Sequence, residues 1–377
     1  MNNLLRRGLE GLVPYEPGRP ISLVEKELGI KEAIKLASNE SPYRPFSKVV
    51  KAMQDAVPDV NRYPDGGSTF LREGIAAKLN VPTSRIIIGS GSNELLRLIA
   101  NVLLNPEDEA VMATPSFIVY PTVVKLMNAR PVEVPLKDHH HDLVAMADAI
   151  TERTKLVFIC NPNNPTGTIV NRNELEKFLA DISDRVVVVL DEAYFELVRD
   201  AGYPNSLDYV NGSKPMITLR TFSKVHGLAG LRIGYGVAPE SIVQAINKVR
   251  EPFNVNTIAQ VGALSSLDCD EEIEERSRFN YEGLQYLYGE FKRLALDYIP
   301  SHANFVLVNV KADGRQISND LMKKGVIVRS GDIFGYPRHI RVSIGTPDEN
   351  SKFINELENL LENKEKGNTM VMDTITD

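Results

Sequence analysis

Lys224 lies in the segment Thr221-Phe222-Ser223-Lys224-Val225-His226-Gly227-Leu228-Ala229-Gly230-Leu231-Arg232-Ile233-Gly234, directly after an expected strand, Met216 to Arg220. A lysine that serves only the surface needs no frame of glycines. An amine that forms a Schiff base with a flat ring does, because the backbone must come close and glycine permits the approach. Thr221 and Ser223 offer hydroxyls to a phosphate, and Arg232 offers a guanidinium to neutralise it. The competing account is an ordinary strand and loop with a solvated lysine.

Three more segments carry polar groups where chemistry can use them. Asp191 follows the apolar run Val186 to Leu190, so its carboxylate is poorly solvated and costly unless a cation pairs with it or it caps the next turn. Asn161-Pro162-Asn163-Asn164-Pro165-Thr166-Gly167 follows another apolar run and is good turn chemistry in its own right. Gly89-Ser90-Gly91-Ser92-Asn93-Glu94 joins a strand to a helix. Free N–H groups and the helix dipole at Gly91, Ser92 and Asn93 attract a phosphate there. A dinucleotide loop is excluded, since Glu94 stands where a third glycine belongs.

Taken in order and spacing, these four motifs resemble those of the fold-type-I pyridoxal-phosphate aminotransferases, and specifically the histidinol-phosphate aminotransferase branch. The resemblance runs from about Pro14 to Leu361. It implies that Lys224 is the catalytic residue that carries the cofactor, pyridoxal 5'-phosphate. Asp191 then faces a protonated ring nitrogen, which keeps the ring an effective electron sink. Asn164 and Tyr194, the latter in Asp191-Glu192-Ala193-Tyr194, hydrogen-bond the ring's phenolate oxygen, and Phe117 stacks on the ring. Plain core packing is the alternative for Phe117.

The same resemblance assigns the substrate side. Arg341 and Arg329 match two arginines that clamp an anionic group, and Tyr15 and Asn39 line the site. Tyr63 matches a tyrosine that reaches from a partner subunit to the cofactor phosphate, which implies a homodimer with shared sites. The small-molecule partners are then an amino donor and a 2-oxo acid. The implied reaction converts L-histidinol phosphate and 2-oxoglutarate to imidazole-acetol phosphate and L-glutamate, in histidine biosynthesis. An aromatic-amino-acid aminotransferase and a lyase acting on a phosphorylated amino acid are the rivals on the same scaffold. One position departs from the pattern: Ser330 stands where many relatives have proline.

The elements that must hold these residues alternate between strand and helix. Strands are expected over Ile34 to Ala37, Arg85 to Ile88, Glu109 to Ala113, Lys155 to Cys160, Val186 to Leu190, Met216 to Arg220 and Leu231 to Val237. Helices are expected over Ile21 to Gly29, Pro45 to Ala56, Thr69 to Leu79, Leu95 to Leu104, Ser116 to Leu126 and Asn173 to Ile182. Runs apolar on both faces alternating with helices indicate an α/β fold with a mostly parallel sheet covered on both sides. Beyond Val237 come long charged helices to Leu296. Strands at Asn304 to Val310, Val326 to Val328 and Ile340 to Ile344 follow, with helices at Gln316 to Lys324 and Glu349 to Leu361, forming a smaller α+β part. The expected division is residues 1–45 as an N-terminal arm and part of the small domain, 46–250 as the large cofactor-binding domain, 251–362 as the small domain, and 363–377 as a disordered tail.

Composition bounds the rest. With 377 residues, 43% of them hydrophobic, the chain is long enough for two cores. A net charge of −7 without a long basic run argues against nucleic acid as a partner. A cofactor-sensing regulator would need an N-terminal DNA-binding domain, and none is expected in the short arm before Ile21. No segment reaches the apolar length of a membrane span and the N-terminus lacks a signal-peptide core, so the expected location is the cytoplasm. Cys160 and Cys269 have neither disulfide-framework nor metal-ligand spacing and read as buried filler in a reducing compartment. His139-His140-His141 reads as a turn between a strand and a helix, and no metal site is expected.

Overall fold

The computed structural model describes residues 6–9, 11–14, 16, 18–209, 212 and 214–373. Among the described residues there are thirteen strands, numbered in chain order. After β1 (Ile34–Lys35) come β2 (Ile86–Gly89), β3 (Glu109–Thr114), β4 (Arg130–Pro135), β5 (Thr154–Cys160), β6 (Val187–Asp191), β7 (Met216–Thr221) and β8 (Gly234–Val237). Those from β2 to β8 form one seven-stranded sheet in the order β2-β8-β7-β6-β5-β3-β4. Strands β3 to β7 are mutually parallel, and β8 runs antiparallel to both β7 and β2.

The central strands are buried on both faces, as their unbroken apolar runs require. Leu156, Phe158, Val189 and Ile217 pack with Leu95 and Ile99 of the helix Ser92–Leu103. Their sequence neighbours Val157, Ile159, Val188 and Leu190 point the other way, onto Leu175 and Phe178 of the helix Arg172–Asp181. That period-two division is the geometry of a pleated strand between two helical layers.

The remaining strands are β9 (Tyr298–Ile299), β10 (Phe305–Asn309), β11 (Val326–Ile327), β12 (Arg329–Ser330) and β13 (His339–Ser343). Four of them form a sheet ordered β12-β13-β10-β9, while β11 pairs with β1. Their core joins Val306, Val308, Ile340 and Val342 to Leu287 and Phe291 of the helix Asp270–Arg293 and to Phe353 and Leu357 of the last helix.

Several expected bounds change. The strand expected from Leu231 begins at Gly234, because Ala229–Leu231 forms a 3-10 turn and Arg232 adopts a left-handed φ of 55°. The closing helix runs Pro347–Asp373, beyond the Leu361 at which the apolar spacing stops. Edge strand β4 has Pro131 and Pro135, which suits an edge, and the histidine run lies between it and the helix Leu143–Asp148. There His140 approaches the Asp138 carbonyl, His139 the Tyr336 hydroxyl and His141 the Asn163 side chain.

Candidate active site

Loops at the carboxyl ends of β5, β6 and β7 and the helix start after β2 open into a cavity of about 340 Å³. Ligands bind at that edge of an open α/β sheet because helix N-termini and free loop groups converge there. Lys224 projects into it three residues past the end of β7. Its Nζ donates to the Asn39 carbonyl at 3.1 Å and sits 5.4 Å from the centre of the Tyr194 ring. Desolvation and the nearby Arg341 and Arg232 cations lower its pKa to about 8, against the pull of Glu40 and Asp191. With its pKa so lowered, about one amine in ten is neutral at pH 7, the form in which it is a nucleophile.

Asp191 is the last residue of β6 and is 2% exposed. One carboxylate oxygen accepts a hydrogen bond from the Tyr120 hydroxyl at 2.9 Å, while the other, Oδ1, has no partner among the described residues. Burial raises its pKa to about 6, opposed by Tyr120, the Ala193 N–H and Lys224. A buried carboxylate with one bare oxygen facing a cavity is a seat for a cation.

A second cluster suits an anion. Gly91 caps the helix Ser92–Leu103 at φ 78°, with no side-chain cap. A Cβ there would meet Nη2 of Arg232 at 2.6 Å, and one at Gly234 would meet the Ser92 nitrogen at 2.8 Å. Two glycines thus let backbone and guanidinium crowd around the helix start. Arg232 is aimed by its bond to the Ala229 carbonyl at 3.0 Å, and Thr221 Oγ1 donates to Ser223 Oγ at 3.0 Å. Helix N–H groups, hydroxyls and one guanidinium together make a phosphate cradle.

The opposite wall comes from the second sheet and the N-terminal segment. Arg329 and Arg341 stand in register on β12 and β13. Arg341, 6% exposed, donates to Asn164 Oδ1 at 2.6 Å and to the Ala37 carbonyl at 2.9 Å. Phe305 and Phe334 lie 5.2 and 5.1 Å from its guanidinium. Arg329 donates to the Glu16 carbonyl at 2.8 Å. Asn39, at a left-handed φ of 54°, donates to the Tyr194 hydroxyl at 2.9 Å, which leaves the tyrosine's own proton for another acceptor.

The cavity therefore brings together Asn39, Ser92, Asn93, Phe117, Asn164, Asp191, Tyr194, Thr221, Ser223, Lys224, Arg232, Arg329 and Arg341, with Gly91 directly behind them. Tyr63 is not among them: it is 82% exposed and stacks on Phe253 at 4.6 Å. Tyr15 lies outside the described residues. Sequence reasoning missed Tyr120, Ile333 and Phe334, and it read Cys160 as filler although that residue lines the cavity. Tyr120 was detectable, since it follows Phe117 by three residues and so shares its face of a turn.

Comparison with known proteins decides the family. Residues 31–357 match the model for "Aminotransferase class I and II". The chain belongs to the class I and II aminotransferases. It is 50% identical over 360 residues to histidinol-phosphate aminotransferase 2 of Carboxydothermus hydrogenoformans, covering 95% of this chain and 99% of that one. It is 49% identical to histidinol-phosphate aminotransferase of Moorella thermoacetica, covering 94% and 92% respectively. Among solved structures it resembles histidinol-phosphate aminotransferase of Sinorhizobium meliloti in complex with pyridoxal-5'-phosphate, with a TM-score of 0.87, 27% identity and coverage of 95% and 98%.

Pyridoxal 5'-phosphate fits the donor set of this aminotransferase. Its phosphate would suit the cradle at Gly91, Ser223 and Arg232, its ring nitrogen the Asp191 oxygen that lacks a partner among the described residues, and its aldehyde the amine of Lys224.

Proposed function

We propose that this aminotransferase moves an amino group between L-histidinol phosphate and 2-oxoglutarate on pyridoxal 5'-phosphate, giving imidazole-acetol phosphate and L-glutamate in L-histidine biosynthesis. The observation that carries the reading is the pairing of two arginines in register, Arg329 and Arg341, across one cavity from Lys224. It is supported by the names of relatives that share up to half of this chain's residues.

When bound, the cofactor supplies an electron sink for the carbanion left by deprotonating the substrate. The protein does the remainder. Ser223, Arg232 and the N–H groups of Ser92 and Asn93 hold the phosphate, and Gly91 gives them room. Asp191 holds the proton on the ring nitrogen, Phe117 covers the ring's face, and Asn164 and Tyr194 bind its phenolate oxygen. Lys224 Nζ takes the proton from the substrate carbon that bears nitrogen. Arg329 and Arg341 orient the substrate's phosphate in one half-reaction and a carboxylate in the other. Tyr63, exposed on its own subunit, supports a homodimer in which it reaches the partner's cradle.

Among the described residues no helix is long and apolar enough to cross a membrane, which supports the cytoplasmic reading. The division into a large cofactor domain and a small domain is supported by the separate cores of the two sheets.

A second reading, aromatic-amino-acid transamination, is favoured by the apolar side chains Phe117, Ile333 and Phe334 at the cavity. A half-reaction panel decides between them: cofactor-loaded protein receives histidinol phosphate, phenylalanine, tyrosine or glutamate alone, and the change in the cofactor's absorbance is followed. Rapid conversion by histidinol phosphate and glutamate is expected. Preference for phenylalanine or tyrosine overturns the substrate, and absence of any lysine-linked absorbance overturns the role of Lys224.

A further inference from the structure

We infer that Tyr120 is a positioning residue for the cofactor ring, holding the carboxylate of Asp191 with its hydroxyl and bracing Phe117 with its ring. This rests on the proposed seating of the ring between those two side chains. Tyr120 is fully buried in the helix Val119–Leu126. Its ring lies parallel to Phe158 of β5, at 4.8 Å and 8°, and meets Phe117 edge-on at 5.6 Å and 84°. Its hydroxyl reaches Asp191 Oδ2 at 2.9 Å, so the other oxygen of that carboxylate is turned to a fixed direction. One side chain thereby ties the stacking residue to the residue that holds the ring nitrogen.

The chemistry of the tie is specific. Burial raises the phenol's pKa well above its ordinary value, so Tyr120 stays a donor throughout the working range. The other groups that bear on Asp191 are Lys224, Cys160, Tyr194 and the Ala193 N–H. Tyr120 and the Ala193 N–H are the hydrogen-bond donors that offset the carboxylate's desolvation, with Lys224 acting through its charge. Without the phenol, Asp191 becomes more basic and draws the shared proton from the ring nitrogen, which weakens the ring as an electron sink. A neutral ring nitrogen also raises the pH midpoint of the lysine-linked visible band, because a positive charge on the ring is lost.

The experiment compares wild type, Tyr120→Phe and Asp191→Asn as purified full-length protein. Three quantities are read: the dissociation constant for pyridoxal 5'-phosphate by equilibrium dialysis, the pH midpoint of the visible band without substrate, and the thermal midpoint of the apoprotein. Tyr120→Phe keeps the ring stack. It is expected to weaken cofactor binding about tenfold, the loss of one hydrogen bond to a charged group. The band midpoint is expected to rise by about half a unit, while the apoprotein's thermal midpoint falls by only a few degrees, the cost of one buried hydrogen bond in a chain of this size. Wild-type binding and midpoint in Tyr120→Phe, when Asp191→Asn moves both, overturns the inference and leaves the cofactor site standing. If Asp191→Asn moves neither, the seating on which the inference rests is wrong. Should Tyr120→Phe not fold, site-specific replacement of Tyr120 by 3-fluorotyrosine supplies a more acidic phenol of nearly equal size. The band midpoint must then fall, and an unmoved midpoint overturns the inference.

Discussion

On the sheet side of the cavity, the groups of the phosphate cradle are held by partners close in sequence. Thr221 bonds Ser223 two residues on, and Arg232 bonds Ala229 three residues back. On the opposite side the spans are long. Asn39 bonds Tyr194 across 155 residues and its N–H bonds Ser343 across 304, while Arg341 bonds Asn164 across 177. The first wall is a set of short loops, each set by the strand that ends in it. The second is assembled only when the N-terminal segment, the large sheet and the second sheet have met. Cofactor retention should therefore depend on local changes in the first wall, and substrate recognition on the second.

Lys224→Ala breaks the comparison most severely on the sheet side. Turnover is expected to fall by at least about 10²–10⁴-fold, the range for losing a positioned proton-transfer group. Single-turnover kinetics on cofactor-loaded protein measure this, and a rate within tenfold of wild type contradicts the assignment. Arg341→Lys tests the other wall. A lysine lacks the planar fork that bonds Asn164 and the Ala37 carbonyl together. The KM for the phosphorylated donor is expected to rise about 10- to 100-fold, as for one lost charge-assisted hydrogen bond. The cofactor's dissociation constant should stay near that of wild type. If the cofactor is lost as well, the two walls are one unit.

Gly91→Ala sharpens the boundary between binding and chemistry. The added methyl meets Arg232 at 2.6 Å, and φ of 78° is unfavourable for a residue with a Cβ by about 1–2 kcal/mol. Cofactor affinity, measured by dialysis, should fall about tenfold, the equivalent of 1.4 kcal/mol. Turnover at saturating cofactor should be retained, since no group that moves a proton has changed.

The same contrast explains what the sequence makes legible. The cofactor wall is readable because a strand's end, a glycine and a charged residue recur within a few positions, and each loop folds on its own terms. The seven-stranded sheet is readable for a similar reason, through unbroken apolar runs such as Val186 to Leu190. Short strands such as β9 and β12, each of two residues, have no periodicity to detect. Phe334 escapes because its place over Arg341 depends on a 3-10 turn, Asp332–Phe334, between two strands that pair only in the folded chain. Tyr63 has a motif but no place in the cavity, because its ring lies exposed and stacked on Phe253.

The smallest expected effects concern proton linkage in the apoprotein, where the two ends of the sheet-side wall should respond to pH in opposite senses. The folded pKa of Asp191 is raised to about 6 by burial. Between its unfolded value near 4 and about 6 the native state binds more protons than the unfolded state, so stability is full below that window and falls as pH rises through it. The pKa of Lys224 is depressed to about 8, chiefly by desolvation. Between about 8 and its unfolded value near 10.4 the native state binds fewer protons, so stability rises with pH there. One proton limits either slope to about 1.4 kcal/mol per pH unit, and solvent reaching the half-buried lysine reduces its share. Urea unfolding of apoprotein across pH 4–10, read as wild type minus Asp191→Asn and wild type minus Lys224→Met, isolates each group. A difference curve that falls in the acid window for the aspartate and rises in the alkaline one for the lysine is expected. A flat aspartate curve would mean that the carboxylate is paired with a cation from the protein itself, and its bare oxygen would then no longer mark the seat of the ring nitrogen.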